Sequence, residues 1–370
     1  MYKSIYIHIP FCHNICSYCD FCKMFYNKNL VDKYLKELKN EYESLKEDNV
    51  IDTIYIGGGT PSSLSMDELD KLFEIIKDVK LSSNYEFTFE INPEDIDEEL
   101  LIKLKDNRVN RISIGIETIN EKFYKFLNRY NNKDILKEKI KLCKKYFSNI
   151  NIDLMYAFPK ETIDDLKNDL DFFKSLDVEH ISTYSLIIED NTVIGNKNTL
   201  PIAEELDRKM YDYIIKYLEK IGYKHYEISN FSKEGYESIH NLTYWNNEHY
   251  LGIGLGASGY INNYRYTNTR SINKYLDGNY IYEKEKVSTR QKEEYELILG
   301  LRKINGVNKK DFFNKYGKQI EDEFDIINLI GKKLLEDNLG YIRIPKDKLY
   351  IENQILINFI GDIDEKDWNI

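Results

Sequence analysis

The sequence predicts an α/β protein: an incomplete (β/α)6 barrel of the TIM type, then a smaller helical, winged-helix-like domain. Three observations predict it. Strand-like and helix-like segments alternate from Ile5 to about Leu186, which implies parallel strands joined by helical crossovers. Six such units fall short of a closed eightfold barrel, so an incomplete barrel or an open doubly wound sheet is expected. The 370 residues suffice for a barrel of about 250 with an appendage.

The strands are expected at Ile5–Ile9, Thr53–Ile56, Tyr85–Ile91, Arg111–Ile116, Ile150–Leu154 and Ile181–Leu186. Amphipathic helical stretches separate them at 29–47, 65–79, 97–106, 120–128 with 133–147, and 162–176. Helix starts carry fitting caps, such as Ser65 with Glu68 and Thr162 ahead of Asp164 and Asp165. A further helix is expected at 203–221, followed by an aromatic, glycine-containing region from Tyr226 to Tyr260. Composition turns charged around Tyr282–Ser288, which divides the chain into domains at 1–284 and 285–370. The second should hold helices near 289–303, 309–316 and 323–338. A hairpin at Tyr341–Ile351, turning at Pro345-Lys-Asp-Lys, and a short last helix complete it.

Bulk composition narrows the function. Hydrophobic content of 42% with 31% charged residues is ordinary for a soluble chain with a sizeable core. No apolar stretch approaches the roughly 18–20 residues of a membrane span, and Met1-Tyr-Lys-Ser runs straight into the first strand, leaving no room for a signal peptide. A cytoplasmic protein is expected. A net charge of -11 argues against nucleic acid as a partner, because neutralising phosphates needs clustered Lys and Arg.

Strand alternation says which residues can do chemistry. Ile5, Ile7 and Ile9 oppose Tyr6 and His8; Phe87 and Phe89 oppose Glu86, Thr88 and Glu90. Ile112, Ile114 and Ile116 oppose Ser113, Gly115 and Glu117; Ile152 and Leu154 oppose Asp153. Outer helices want the apolar face, so Glu90, Glu117 and Asp153 should enter the lumen near the C-terminal strand ends, where barrel sites are built. The alternative for any one of them is a strand-end carboxylate in solvent or a salt bridge. Gly57-Gly58-Gly59-Thr60-Pro61 ends the second strand, where glycines let a ligand approach the backbone; a plain tight turn would explain them nearly as well.

Four of five cysteines fall in Cys12-His-Asn-Ile-Cys16-Ser-Tyr-Cys19-Asp-Phe-Cys22. In a reducing compartment such a cluster points to metal rather than disulfides. Cys143 shares a helical face with Leu136, Ile140 and Phe147 and reads as core. Thiolates suit zinc or iron–sulfur clusters, but no second Cys/His pair lies at a zinc-site distance. Three thiols on a four-iron cluster would leave one iron free for an outside ligand.

The Cys-x3-Cys-x2-Cys loop after the first strand resembles the radical S-adenosylmethionine (SAM) superfamily. Tyr6-Ile-His-Ile-Pro-Phe-Cys12 and Tyr18-Cys19-Asp20-Phe21 are similar to the branch holding oxygen-independent coproporphyrinogen oxidases and HemW-type heme chaperones. So are Gly57–Pro61, Glu90-Ile-Asn-Pro93, Arg111-Ile-Ser-Ile-Gly115, Asn151-Ile-Asp153-Leu-Met155 and Gly252-Ile-Gly-Leu-Gly-Ala257. The resemblance implies that Cys12, Cys16 and Cys19 ligate a [4Fe-4S] cluster whose free iron takes SAM. It implies that Gly57, Gly58, Gly59 and Thr60 meet the methionine end, Arg129 its carboxylate, and Glu90 and Asp153 the nucleoside side. Tyr6 would pack beside the cluster. The family chemistry is one-electron reduction of the sulfonium, giving methionine and a 5′-deoxyadenosyl radical. Two departures stand out: Gly115-Ile-Glu117 where relatives have Gly-x-Gln, so that Glu117 brings charge to the SAM site, and Ala157-Phe-Pro159 for Gly-Leu-Pro. Cys22 is expected to be a nearby free thiol.

Within that branch two functions compete: radical decarboxylation of coproporphyrinogen III, or binding heme and delivering it to acceptor proteins, respiratory enzymes among them. The short lead before Cys12 and the absence of the oxidase's extra cysteine, whose place Phe21 takes, favour the chaperone. So does His240-Asn-Leu-Thr-Tyr-Trp245, which is similar to the heme-binding motif of that branch. A neutral imidazole is a good axial ligand, and neighbouring aromatics can pack on a porphyrin; pattern alone favours a hydrogen-bonded structural residue at His240, and it is the resemblance that turns the reading toward heme. His249 is a candidate second ligand, while His180 and His225 read as structural. Radical-SAM catalysis, a chaperone role without oxidase activity, and a binding protein with a vestigial cluster all stay open, as does a homodimer.

Overall fold

Residues 1–361 are described by the computed structural model, whose frame is a twelve-stranded sheet. Six strands come first: β1 (Ser4–Ile9), β2 (Val50–Gly58), β3 (Lys80–Ile91), β4 (Arg111–Glu117), β5 (Ile150–Tyr156) and β6 (His180–Ser185). Each pairs in parallel with the next. The crossovers carry α1 (Lys28–Leu45), α2 (Met66–Ile76), α3 (Glu98–Asp106), α4 (Glu121–Leu127) with α5 (Lys133–Tyr146), and α6 (Ile163–Leu176). This is the expected incomplete (β/α)6 barrel.

The outer faces bury as the alternation requires. Ile5, Ile7, Phe87, Phe89, Ile112 and Ile114 are almost wholly buried, and Phe73 of α2 packs its ring on Phe87 and Phe89. Caps begin the helices where expected: Ser65 and Thr162 each form a capping box.

After β6 come α7 (Glu204–Lys220), β7 (Lys224–Glu227), β8 (Asn230–Ser232), α8 (Ile239–Trp245) and β9 (Tyr250–Ile253). Next are β10 (Ser258–Ile261), β11 (Tyr264–Asn268), α9 (Ile272–Leu276) and β12 (Ile281–Lys286). The sheet order is β12-β11-β10-β9-β1-β2-β3-β4-β5-β6-β8-β7. Thus β9 adds a seventh parallel strand on the far side of β1, and antiparallel strands extend both edges. The aromatic region therefore supplies sheet that its sequence does not announce, because strands of three or four residues are too short to display alternation.

The C-terminal part holds α10 (Thr289–Gly300), β13 (Val307–Asn308), α11 (Lys309–Tyr316), α12 (Ile320–Glu323) and α13 (Ile326–Gly331). Then come β14 (Glu336–Asn338), β15 (Tyr341–Arg343) and α14 (Glu352–Leu356). The hairpin is β14–β15 rather than 341–351, and the expected helix at 323–338 is broken. Leu339 and Gly340 both take positive φ, 52° and 85°, and form the tight hairpin turn. Pro345 instead precedes a 3₁₀ stretch, Lys346–Ile351. The charged segment at 282–288 coincides with the exposed strand β12 at the sheet edge. One hydrophobic cluster runs from Tyr2 to Phe359, across the 284/285 division. Among the described residues no helix is long and apolar enough to cross a membrane.

Candidate functional site

Strand register stacks the lumen in rows. Tyr6, Tyr55, Thr88 and Arg111 align across β1 to β4. Glu90, Ser113, Asn151 and His180 form the next row toward the C-terminal ends, followed by Gly115, Asp153 and Ser182. Above them opens a cavity of about 530 Å³. Its walls include Cys12, Cys16, Cys19, Gly58, Gly59, Thr60, Glu90, Glu117, Arg129 and Asp153.

The thiol loop is clasped from two sides. Ser17 N donates to Leu127 O at 2.9 Å, and Ile194 N to Ser17 O at 3.1 Å. Asn14 Nδ2 donates to the Asn128 backbone carbonyl at 2.7 Å, and Asn128 Nδ2 donates to Asn14 Oδ1 at 2.9 Å and to Ile15 O at 3.0 Å. Thr60 Oγ1 lies 3.4 Å from Cys12 Sγ, and Arg129 Nη1 3.5 Å from Cys16 Sγ. Burial pushes the Cys12 thiol up to about 11 and raises Cys19 as well, so these groups stay neutral until a soft metal displaces their protons. Among the described residues no three His, Cys, Asp or Glu side chains converge tightly enough for a single ion. Three thiols set around one cavity wall fit a larger cluster that takes one thiol per corner. Cys22 lies outside that wall, against the backbone of Gly256, with its carbonyl 2.7 Å from His8 Nε2. Cys143 is fully buried on α5 with Leu136 and Ile140.

The glycine segment is tight for a visible reason. A Cβ on Gly57 would stand 2.7 Å from the Glu90 carboxyl carbon, one on Gly58 2.6 Å from the His8 ring, and one on Gly59 3.0 Å from Cys12 Sγ. Glu90 accepts from Tyr55 OH at 2.7 Å and from Gly58 N at 2.9 Å. Arg129 is buried; Nη2 donates to Asn92 Oδ1 at 3.1 Å and to Gly115 O, while Nε has no protein partner. A buried guanidinium with an open N–H suits a ligand carboxylate.

Three carboxylates, Glu90, Glu117 and Asp153, line the same cavity, with Glu117 beside the arginine. Burial, then the neighbouring Glu117 and Glu90, raise the Asp153 pKa to about 7, and burial raises that of Glu90. Glu117 follows a register break in β4, takes φ 69°, and accepts from Tyr184 OH at 2.8 Å. The excess of acid over base suits a ligand that carries a cationic centre beside its own carboxylate. Asn92, which holds Arg129, lies in the Glu90-Ile-Asn-Pro93 motif but carries no predicted role there, and Tyr184, which holds Glu117, belongs to none of the motifs.

Tyr6 and His240 lie apart from the cavity wall. Tyr6 OH is 2.9 Å from His8 Nδ1, and its ring centre is 6.1 Å from that of Tyr55. His240 sits on α8, which closes the opposite end of the lumen. Its ring is 1% exposed, with Nδ1 2.7 Å from Thr53 Oγ1 and Nε2 2.7 Å from Tyr244 OH. In this arrangement neither nitrogen is free for iron; ligation would require α8 to leave its seat. That seat is Glu86, whose carboxylate accepts from Ser238 Oγ, Ile239 N and His240 N at 3.1, 2.9 and 3.0 Å. Alternation places Glu86 in the lumen, but nothing local announces a partner 150 residues away. His180 and His225 are buried; His180 bonds Asn151 and Tyr226, and His225 stacks on Phe231 at 4.3 Å.

Residues 6–173 match the radical SAM superfamily. The chain is 40% identical to the heme chaperone HemW of Lactococcus lactis subsp. lactis (strain IL1403) over 97% of its length and 98% of the relative's. It is 39% identical to the heme chaperone HemW of Bacillus subtilis (strain 168) over 98% and 100%. Its fold superposes on the coproporphyrinogen III oxidase HemN of Escherichia coli, a radical SAM enzyme, with a TM-score of 0.85. That superposition covers 97% of this chain and 90% of the other at 18% identity.

Proposed function

The chain belongs to the radical SAM superfamily and, within it, to the HemW heme-chaperone family, and on that footing we propose that it binds heme, carries a [4Fe-4S] cluster with SAM, and hands heme to acceptor proteins. The end-to-end likeness to the Lactococcus lactis heme chaperone carries the reading; the likeness to the oxidase is one of fold.

In this reading Cys12, Cys16 and Cys19 hold the cluster and leave one iron corner for SAM. Together the two cofactors supply one-electron chemistry at a sulfonium. The protein's part is to bind and orient. Arg129 offers its guanidinium charge to the ligand carboxylate, held in place by Asn92 and Gly115 O. Gly57, Gly58 and Gly59 admit the methionine end against backbone, with Thr60 beside Cys12. Glu90 and Asp153 accept from hydroxyl groups of the nucleoside, and the protonated fraction of Asp153, about half near neutral pH, can also donate. Glu117, held by Tyr184, stands where it attracts the cationic centre. Tyr6 closes the lumen below through its bond to His8. His240 enters as an iron ligand only with displacement of α8. We place the protein in the cytoplasm and propose respiratory heme enzymes as the acceptor class.

The test offers the anaerobically reconstituted protein ferric heme in one cell and coproporphyrinogen III, SAM and reductant in another. Saturable heme binding without decarboxylation is expected; protoporphyrinogen formation would make the protein an oxidase instead.

A further inference from the structure

Two sites occupy opposite ends of the lumen: the thiol cavity with Glu90, and the seat of α8 with His240. One side chain touches both. Tyr55 projects from β2 into the lumen on the same face as Thr53, three residues before Gly58. Its hydroxyl donates to Glu90 Oε1 at 2.7 Å, and Glu90 Oε2 accepts from Gly58 N at 2.9 Å. Its ring centre lies 5.1 Å from that of His240, the planes 31° apart. Thr53 Oγ1 meets His240 Nδ1 at 2.7 Å. A continuous line of contacts thus runs along β2 from the glycine segment to α8.

We infer that Tyr55 is a positioning residue that couples the ligand cavity to the seat of α8, so that a ligand engaging Glu90 steadies His240 and its helix; the inference rests on the SAM-binding reading above. A ligand hydroxyl or amino group that donates to Glu90 fixes the carboxylate, and the carboxylate fixes the Tyr55 hydroxyl it already holds. The phenol ring is stiff, so an anchored hydroxyl sets the ring plane against which His240 packs. In the other direction, a ring left without its His240 neighbour holds Glu90 less firmly beneath Gly58.

A buried cation stands beside this line. Arg111 is 2% exposed, aligns with Tyr55 through Thr88 in the strand register, and sets Nη1 3.4 Å from Thr88 Oγ1. Glu86 and Glu90 lie two residues to either side of Thr88 on the same face of β3. One guanidinium therefore stands between the carboxylate of the cavity and the carboxylate that seats α8. The helix is the element able to respond. Its seven residues cannot stay helical alone in water, so its order depends on Glu86, Thr53 and Tyr55. Linkage makes the coupling reciprocal: a ligand that steadies α8 is itself bound more tightly when α8 is seated.

The experiment uses the full-length, cluster-reconstituted protein. It reads amide hydrogen exchange over residues 239–245 with and without saturating SAM, and SAM affinity by calorimetry. Exchange in α11 serves as the reference for global stabilisation by the ligand. In wild type, SAM should slow exchange in α8 about fivefold or more beyond its effect on α11. Tyr55→Phe keeps the ring and loses the hydroxyl. With circular dichroism and iron content as in wild type, it should bind SAM about fivefold more weakly and lose the extra slowing in α8. Glu86→Ala loosens α8 without touching the cavity and should also weaken SAM binding, which keeps the coupling testable should Tyr55→Phe misfold. SAM binding that leaves α8 no slower than α11 in wild type, or wild-type SAM affinity in both variants, would overturn the coupling alone. If the wild type binds no SAM, the SAM reading falls and the inference with it.

Discussion

Glu86→Ala tests how α8 is held. The carboxylate is 4% exposed and serves three donors, Ser238 Oγ, Ile239 N and His240 N. A hydrogen bond to a charged acceptor contributes about 1.5–3 kcal/mol. The three share one acceptor and do not add, so the total loss should be about 3–5 kcal/mol, comparable to breaking a buried ion pair. A helix of seven residues cannot hold itself together in water, so the loss should first appear as local opening of α8. Denaturant unfolding combined with amide hydrogen exchange over residues 239–245 reads both effects. Glu86→Gln keeps one acceptor oxygen and should lose only about 1–2 kcal/mol. Unfolding within about 0.5 kcal/mol of wild type, with unchanged exchange in α8, would refute the reasoning. New heme-iron coordination in Glu86→Ala would show that His240 becomes a ligand once its helix is unseated.

Four further outcomes are expected. Cys16→Ala should abolish the reduced-cluster EPR signal and lower iron well below about four per chain, whereas Cys22→Ala should change neither; a wild-type spectrum in Cys16→Ala would remove it from the ligand set. Gly58→Ala puts a Cβ 2.6 Å from the His8 ring at φ 120°, so strain and overpacking should each cost about 1–3 kcal/mol and depress Tm; an unchanged Tm would contradict this. Arg129→Ala should weaken SAM binding about tenfold or more, since a charged hydrogen bond of about 1.5–3 kcal/mol is lost; equal SAM affinity by calorimetry would sink that role. Asp153 has a folded pKa raised from 3.8 to about 7, so the folded state keeps its proton where the unfolded state has released it. Its contribution to stability therefore falls as pH rises from about 4 to about 7, and Asp153→Asn should gain on wild type through that window. A stability difference that does not vary with pH in cofactor-free protein would be the wrong result.

What the sequence could show was set by how local each signal is. Period-two alternation in Ile112, Ile114 and Ile116 against Ser113, Gly115 and Glu117 is complete within one strand, so the lumen face was legible before any partner was known. The thiol spacing is equally local. The seat of His240 is not: the motif's resemblance suggests iron, yet Thr53 and Tyr244 occupy both nitrogens, and Thr53 lies 187 positions away. The open nitrogen of Arg129 depends in the same way on Asn92 and Gly115, from two other segments. Proline is a strong local turn signal and draws the expected hairpin to Pro345, while the actual turn places Leu339, a residue type that rarely takes positive φ, before Gly340.

The most direct test of the account is heme transfer. Protein loaded with ferric heme is mixed with an apo-heme protein, and the Soret absorbance is followed through size-exclusion separation. Heme should leave this chain for the acceptor faster than it leaves into buffer alone. Heme that stays bound, or that moves no faster with acceptor present than without it, would contradict the chaperone reading.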